Sequence, residues 1–324
     1  MDPIIQKIKD AERILVASHK DPDGDAVGSL LAMGLAFIRL GKPTTLYNES
    51  PIPAVYQFLP RVGLIQRRLE APEAYDTAVV LDCGDLSRIG ESWPSLSRVP
   101  VVINIDHHVT NTGFGQFQLI DGQACATAEI VARLIRALDV PLDREMATCI
   151  YTGILTDTGS FRFSNTNPAA FAISREMTEL GVDPYEVAQH VFGSYSLGRI
   201  KLLNLALNSI EISRNGRLSL MTVTRRMLEE THTQQEDVDG LINYARRIED
   251  VRVAALIQEQ ANGCATPDGC TRLHVSLRSD GTVDVAALAG AYGGGGHHSA
   301  AGFQVEASLP DIKSSLLAWS EQMG

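Results

Sequence analysis

Short apolar runs bounded by turn residues recur through the first half of the chain, at 14–17 (ILVA), 78–81 (AVVL) and 101–105 (VVINI). They do not alternate between polar and apolar positions, which marks strands buried on both faces of a parallel sheet. Between and after them the apolar positions take helical spacing, over 26–40, 127–138 and 168–180, and Gly181 stands where the last of these helices would stop. Strands alternating with helices predict a doubly wound, mainly parallel α/β domain over residues 1–190. The following stretch, with VAQHVF and then SLGRIKLLNLALNSIEI, is helical in pattern and carries no chemistry, so residues 191–212 read as a helical connector. Strand patterns at 218–224, 251–258 and 272–277, a helix near 238–248 and a terminal helix from Pro310 then predict a smaller α/β domain over 213–324.

Composition narrows the class. With 324 residues, 44% of them hydrophobic, the chain can bury a substantial core, and its length suits two domains. The longest apolar stretch, 30–38, is too short to cross a bilayer, and MDPIIQKIKD has none of the organisation of a signal peptide; a cytoplasmic protein without a membrane partner is expected. Five cysteines (Cys83, Cys125, Cys149, Cys264, Cys270) without CxxC spacing argue against a disulfide framework and against a thiolate zinc site, and read as reduced, mostly buried thiols. A formal charge of -11 argues against binding long nucleic acid, which needs an extended basic surface. It does not exclude a nucleotide, because acidic residues gathered around cations turn electropositive once those are bound.

The residues that carry chemistry sit at the ends of the predicted strands. SHKDPDGDAVGS (18–29) follows ILVA and presents His19, Asp23 and Asp25; VVLDCGD presents Asp82 and Asp85; VVINIDHH presents Asp106, His107 and His108. In open α/β sheets ligands bind beyond the carboxyl ends of the strands, so these groups are placed to offer imidazole nitrogen and carboxylate oxygen to hard or borderline cations. Any one cluster alone reads equally as an aspartate-rich turn with a helix cap. Three consecutive strand ends of this kind are not turn chemistry. A fourth carboxylate, Asp157 in YTGILTDTGSFRFS, follows another apolar run and leads into Arg162.

HKDPDGDAVGS, LDCGD, DHH and TDTGSF resemble, in order and spacing, the four motifs of the DHH phosphoesterase superfamily, and GGGHHSAAG (294–302) resembles the GGGHxxAAG signature of the DHH-associated C-terminal domain. The resemblance runs over nearly the whole chain and is greatest to compact two-domain members: the nanoRNase and pAp phosphatase (NrnA-like) group and the related cyclic-dinucleotide phosphodiesterases. It implies two divalent ions, manganese first and then magnesium or cobalt. His19 and Asp23 would hold one ion, Asp25, His107 and Asp157 the other, with Asp82 bridging. Asp106 would orient the histidines and His108 would face the substrate phosphate as a proton donor.

In the second domain the resemblance points to Ser276 and Arg278 of HVSLRSD, and to Gly294, Gly295, Gly296 and His297, as substrate contacts; Arg88, Arg162 and Arg252 are weaker candidates of the same kind. A run of glycines lets backbone N–H groups approach a phosphate, although an isolated GGGG also reads as a flexible loop. The implied reaction is hydrolysis of short RNA or DNA oligonucleotides or of 3'-phosphoadenosine 5'-phosphate by two-metal activation of water, with closure across the connector bringing the second domain to the metals. A linear or cyclic dinucleotide messenger as substrate and a non-catalytic nucleotide sensor are the alternatives. The chain departs from pyrophosphatases of the superfamily, which lack the GGGHxxAAG ending, and from RecJ-like exonucleases, which are larger. A homodimer is the expected assembly.

Overall fold

The computed structural model describes residues 1–193, 195–260 and 271–323. The chain divides into two compact units, residues 1–194 and 195–324.

The first unit runs α1 (Asp2–Asp10), β1 (Ile14–Ser18), α2 (Gly24–Arg39), β2 (Thr44–Tyr47), β3 (Ile65–Gln66), β4 (Thr77–Leu81), α3 (Trp93–Leu96), β5 (Val101–Asp106), β6 (Phe117–Ile120), α4 (Thr127–Ala137), α5 (Arg144–Asp157), α6 (Pro168–Glu179) and α7 (Pro184–Phe192). Its strands form one sheet in the order β3-β2-β1-β4-β5-β6, with every pairing parallel. The chain adds β2 and β3 on one side of β1 and then returns to add β4, β5 and β6 on the other. The loops leaving β1 and β4 therefore diverge, and a crevice opens beyond the carboxyl ends of those strands.

Both faces of this sheet are covered, as its uninterrupted apolar runs require. Ile14, Val16, Val79, Leu81, Ile103 and Ile105 join the core built by the helices, while Leu15, Ala17, Ala78, Val80 and Val102 pack against a smaller cluster that includes Tyr75, Ile89 and Leu96. Each fully buried aliphatic side chain of this kind contributes about 1.5–3 kcal/mol. The helix α2 is apolar nearly all round because it is enclosed nearly all round. It lies so close to α5 that a Cβ on Gly28 would overlap the Cys149 carbonyl oxygen, and one on Gly24 the Thr156 side chain. That contact brings the end of α5, which carries Asp157, up to the start of α2, which carries Asp25.

The second unit runs α8 (Leu197–Asn208), β7 (Glu211–Ile212), β8 (Leu218–Val223), α9 (Arg225–Thr231), α10 (Ile242–Arg246), β9 (Val253–Glu259), β10 (Thr271–Ser279), α11 (Val285–Ala291), β11 (Gly295–His297), β12 (Ala300–Ala307) and α12 (Leu309–Ser320). Its sheet has the order β11-β12-β10-β9-β8-β7 and is antiparallel except between β8 and β9. The segment read as a connector contains α8, which buries Leu202 and Ala206 in a cluster with Met221 and Val223 of β8. The single helix expected near 238–248 is a 3-10 turn (Gln235–Val238) followed by the short α10, because Gly240, at φ +83°, interrupts the helical path.

The GGGG run also differs from a loop. Gly295, Gly296 and His297 form an edge strand paired to Gly302, Ala301 and Ala300 of β12. A Cβ at Gly294 would overlap the Gly302 carbonyl, and Gly296 has a φ of +145°, so these two positions can pass β12 only as glycine.

Cys83, Cys125 and Cys149 are buried free thiols, and Cys264 and Cys270 lie outside the described residues. Among the described residues no helix is long and apolar enough to cross a membrane.

The α2–α5 contact makes a prediction. Gly28→Ala forces the new methyl against backbone rather than against a movable side chain. It should destabilise the protein by about 1–3 kcal/mol, measured by urea unfolding.

Candidate metal centre

Three neighbouring strands deliver their next residues to one point. His19 follows β1, Asp82 follows β4, and β5 ends at Asp106 with His107 and His108 beyond it. Asp82 sits in the left-handed region at φ +54°, a conformation that costs a non-glycine residue free energy and is held by its surroundings. Asp23 caps α2, its Oδ1 accepting from the N–H groups of Asp25 and Ala26 at 3.0 Å each. Asp25 lies in the first turn of α2 and Asp157 is the last residue of α5.

Donor atoms within 4.8 Å of one another form three groups: His19, Asp23 and Asp82; Asp25, His107 and Asp157; and Asp82, His107 and His108. Asp82 and His107 each stand in two of them, so the groups form one continuous centre. Carboxylate oxygens with a few imidazoles and no thiolate suit divalent cations such as manganese or magnesium. The donor set therefore fits the two-ion expectation.

Each imidazole is aimed by the atom behind it. His19 donates from Nδ1 to the Lys20 carbonyl at 2.8 Å, which turns Nε2 toward Asp82 Oδ2, 3.5 Å away. His107 Nδ1 faces the Ala124 carbonyl at 3.4 Å, and its Nε2 is 3.7 Å from both Asp82 Oδ1 and Asp157 Oδ2. Such backing fixes the tautomer of a metal-binding histidine. His108 instead turns Nδ1 to Asp106 Oδ1 at 2.7 Å, and Asp106 also accepts from the His107 N–H at 2.9 Å and from Asn111 Nδ2 at 2.6 Å.

The carboxylates are held as firmly. Asp25 accepts from the N–H groups of Thr127 at 2.6 Å and Ala128 at 2.9 Å, so it caps α4 from another element. Thr127 Oγ1 donates to Asp82 Oδ1 at 3.0 Å.

The sequence reading missed this supporting set: Asn48, which donates to the His19 carbonyl at 2.7 Å, Asn104 and Asn111, which both donate to the Cys83 carbonyl, and Thr127 and Asn165. One signal was present. Asn104 interrupts VVINI at a fully buried position, where a polar residue survives only with partners.

Burial and charge set the proton affinities. Burial raises Asp157 to about 7, with His107 opposing and Asp23 and Asp82 adding to the rise. Burial, then Asp82, Asp157 and Asp23, hold Asp25 well above the carboxylate range. For His19, burial lowers the affinity, but the hydrogen bond to Asp82 and the charges of Asp23 and Asp82 outweigh it and lift the ring to about 9. Burial also opposes the shifts of Asp82 and Asp106, and is overcome by His19 and the other imidazoles for Asp82 and by His108 for Asp106, so both are lowered. His108 is raised in turn: burial is outweighed by Asp106 and Asp82.

The other expected residues fall in two places. Asp85 caps the short 3-10 helix Leu86–Ile89, whose Arg88 is exposed and close enough for its charge to oppose protonation of His19 and His108. Arg162 is exposed and donates from Nε to the Gly159 carbonyl at 2.6 Å. In the second unit, Leu273, Val275 and Leu277 of β10 face its core, so His274, Ser276 and Arg278 share the other face. Register sets Arg278 beside Ala300, Ala300 beside His297, and Ser276 beside Gly302, so Ser276, Arg278, Gly295 and His297 occupy one face of the sheet. Burial and the charge of Arg246 lower the Arg278 affinity for its proton, and burial with Arg278 lowers that of His274.

The fold and this centre define a two-unit α/β protein with a carboxylate–histidine cluster at a sheet switch point. Residues 13–154 match the DHH family, N-terminal domain, and residues 221–322 match the DHHA1 domain. The chain is 36% identical over 293 residues to the bifunctional oligoribonuclease and PAP phosphatase NrnA of Thermus thermophilus, covering 89% of this chain and 83% of that protein. It is 26% identical over 309 residues to the protein of the same name from Bacillus subtilis, covering 93% and 92%. An exopolyphosphatase-related protein from Bacteroides fragilis has the same fold, with a TM-score of 0.89 at 25% identity over 99% of this chain and 96% of that one. The chain belongs to the DHH family.

Stability without metal should fall as pH rises. Asp157, ordinarily near 3.8, keeps its proton to about 7 in the folded state, so its contribution is present below 3.8 and lost as pH climbs through 7. His19 behaves alike, its contribution present below 6.5 and lost through about 9. Metal ligands must give up these protons, so added metal should stabilise the protein more as pH rises. Thermal unfolding between about pH 5 and 9, with chelator and with manganese, should show the two curves diverging; parallel curves would contradict these proton affinities.

Proposed function

We propose that this protein is a metal-dependent phosphoesterase that hydrolyses short oligonucleotides and 3'-phosphoadenosine 5'-phosphate. The observation that carries the reading is the joining of the donor groups through Asp82 and His107, which suits two ions sharing a ligand rather than one isolated ion. The Thermus and Bacillus relatives, named for oligoribonuclease and PAP phosphatase activity, support the substrate class.

Bound divalent ions supply an acidified water and neutralise phosphate charge. His19, Asp23, Asp25, Asp82, His107 and Asp157 hold them, and manganese is the ion proposed. Asp106 favours the protonated form of His108, so that His108 can hand a proton to the departing oxygen. Arg88 offers a guanidinium to the substrate phosphate, and Arg162 a second. Ser276, Arg278, Gly295 and His297, with the backbone of Gly294 and Gly296 beside them, form the substrate-recognition site of the second unit, where a guanidinium binds phosphate in two-pronged fashion. A cytoplasmic homodimer completes the proposal.

Metal-stripped protein should release mononucleotides from an RNA dinucleotide and pentanucleotide, and phosphate from 3'-phosphoadenosine 5'-phosphate, only after manganese is restored. Cyclic di-AMP and pyrophosphate should be poor substrates. Asp82→Ala should lower turnover about a thousandfold or more, the rate equivalent of several kcal/mol of lost charge stabilisation. Nucleotide binding with no turnover under any of these conditions would instead identify a sensor.

A further inference from the structure

The turn between β6 and α4, with the first residues of α4, holds two members of one donor group directly. The Ala124 carbonyl backs His107, and the Thr127 and Ala128 N–H groups hold Asp25. Asp157 is tied to the same turn through one side chain, Asn165, whose Nδ2 is 2.8 Å from the Cys125 carbonyl, 3.1 Å from Asp157 Oδ2 and 3.1 Å from the Asp157 carbonyl. We infer that Asn165 is a positioning residue for the ion held by Asp25, His107 and Asp157, fixing the Asp157 carboxylate against the 124–128 turn. This rests on the two-ion reading above.

The backbone between the two residues is shaped for this contact. Gly159, Ser160 and Phe161 follow α5 in the left-handed region at φ +56°, +61° and +61°, which reverses the chain and returns Asn165 to the end of the helix. Two of the three are not glycine, and such residues keep this conformation only where their surroundings over-determine it. The Thr158 hydroxyl accepts from the Phe161 N–H at 3.1 Å and helps to set the reversal. Asn165 Oδ1 is buried with no hydrogen-bond partner among the described residues, so the amide acts here through Nδ2 alone, between the Cys125 carbonyl and Asp157.

Asn167 supplies a built-in control. It ties the same segment to the Gln123 carbonyl and to Glu129, each at 3.0 Å, and caps α6 by accepting from the Ala170 N–H at 2.8 Å, so its hydrogen bonds go to groups outside the donor set. Loss of Asn167 should loosen the segment without disturbing an ion.

The test is manganese titration of the metal-stripped full chain, followed by the electron paramagnetic resonance of free manganese, with thermal unfolding of each metal-free variant alongside. The wild type should bind two ions. Asn165→Ala should weaken one of them about 10- to 100-fold and leave the other unchanged, Asn165→Ser should recover part of the loss through its hydroxyl, and Asn167→Ala should bind both ions normally. Both ions bound by Asn165→Ala as tightly as by the wild type would overturn the inference, as would equal weakening by Asn165→Ala and Asn167→Ala, which would make the role one of folding. Should Asn165→Ala fail to fold, Asn165→Ser decides by the same comparison. A wild type that binds fewer than two ions would overturn the two-ion reading itself, and this inference with it.

Discussion

Asp25, Asp82 and Asp157 meet in one cluster of the first unit with the exposed Asp23 at its rim, and Asp25 and Asp82 are each only 1% exposed. Carboxylates this close and this poorly hydrated cannot all stay ionised unless positive charge lies among them. The protein meets part of the demand itself. Imidazoles surround Asp82 and keep it charged, while Asp25 and Asp157 take the strain as raised proton affinity. The remainder calls for cations, so the proton load of this cluster and its affinity for metal are two readings of one electrostatic imbalance.

Much of the surrounding architecture serves to keep that imbalance in place. Glycine at positions 24 and 28 lets α5 press against α2, and Gly153 carries the principle to the ligands, since a Cβ there would lie 2.8 Å from Asp25 Oδ1. The start of α4 spends its N–H groups on Asp25 in place of a cap of its own. Buried asparagines then satisfy the carbonyls left behind at the strand ends. In the second unit small residues and glycines along β11 and β12 flank Ser276 and Arg278, while the opposite face packs on α11 and α12.

Three adjacent strands of the parallel sheet were legible because strands buried on both faces are apolar throughout, as 14–17, 78–81 and 101–105 are, whereas the less buried β2, β3 and β6 gave no such run. His19, Asp82 and His107 stood out as candidate donors because they directly follow those strands, whereas Asp25 and Asp157 lie at the start and the end of helices. What was hidden depended on distance along the chain. Thr127 reaching Asp82, and Asn165 reaching back to Asp157 through a left-handed tract, follow from how helices dock and how a loop reverses, neither of which a local pattern encodes. The GGGG run is ambiguous taken alone for a related reason: glycine signals freedom in isolation, whereas here it answers the close approach of β12. The interruption at Gly240 was visible in the sequence and was outweighed by the apolar spacing on either side of it.

The central claim is that this cluster holds two divalent ions through shared ligands. Crystals grown with manganese, with diffraction recorded at the manganese absorption edge, test it most directly. The account predicts two anomalous peaks, one among His19, Asp23 and Asp82 and the other among Asp25, His107 and Asp157, with Asp82 reaching both. A single peak, or none within reach of these donors, would contradict it.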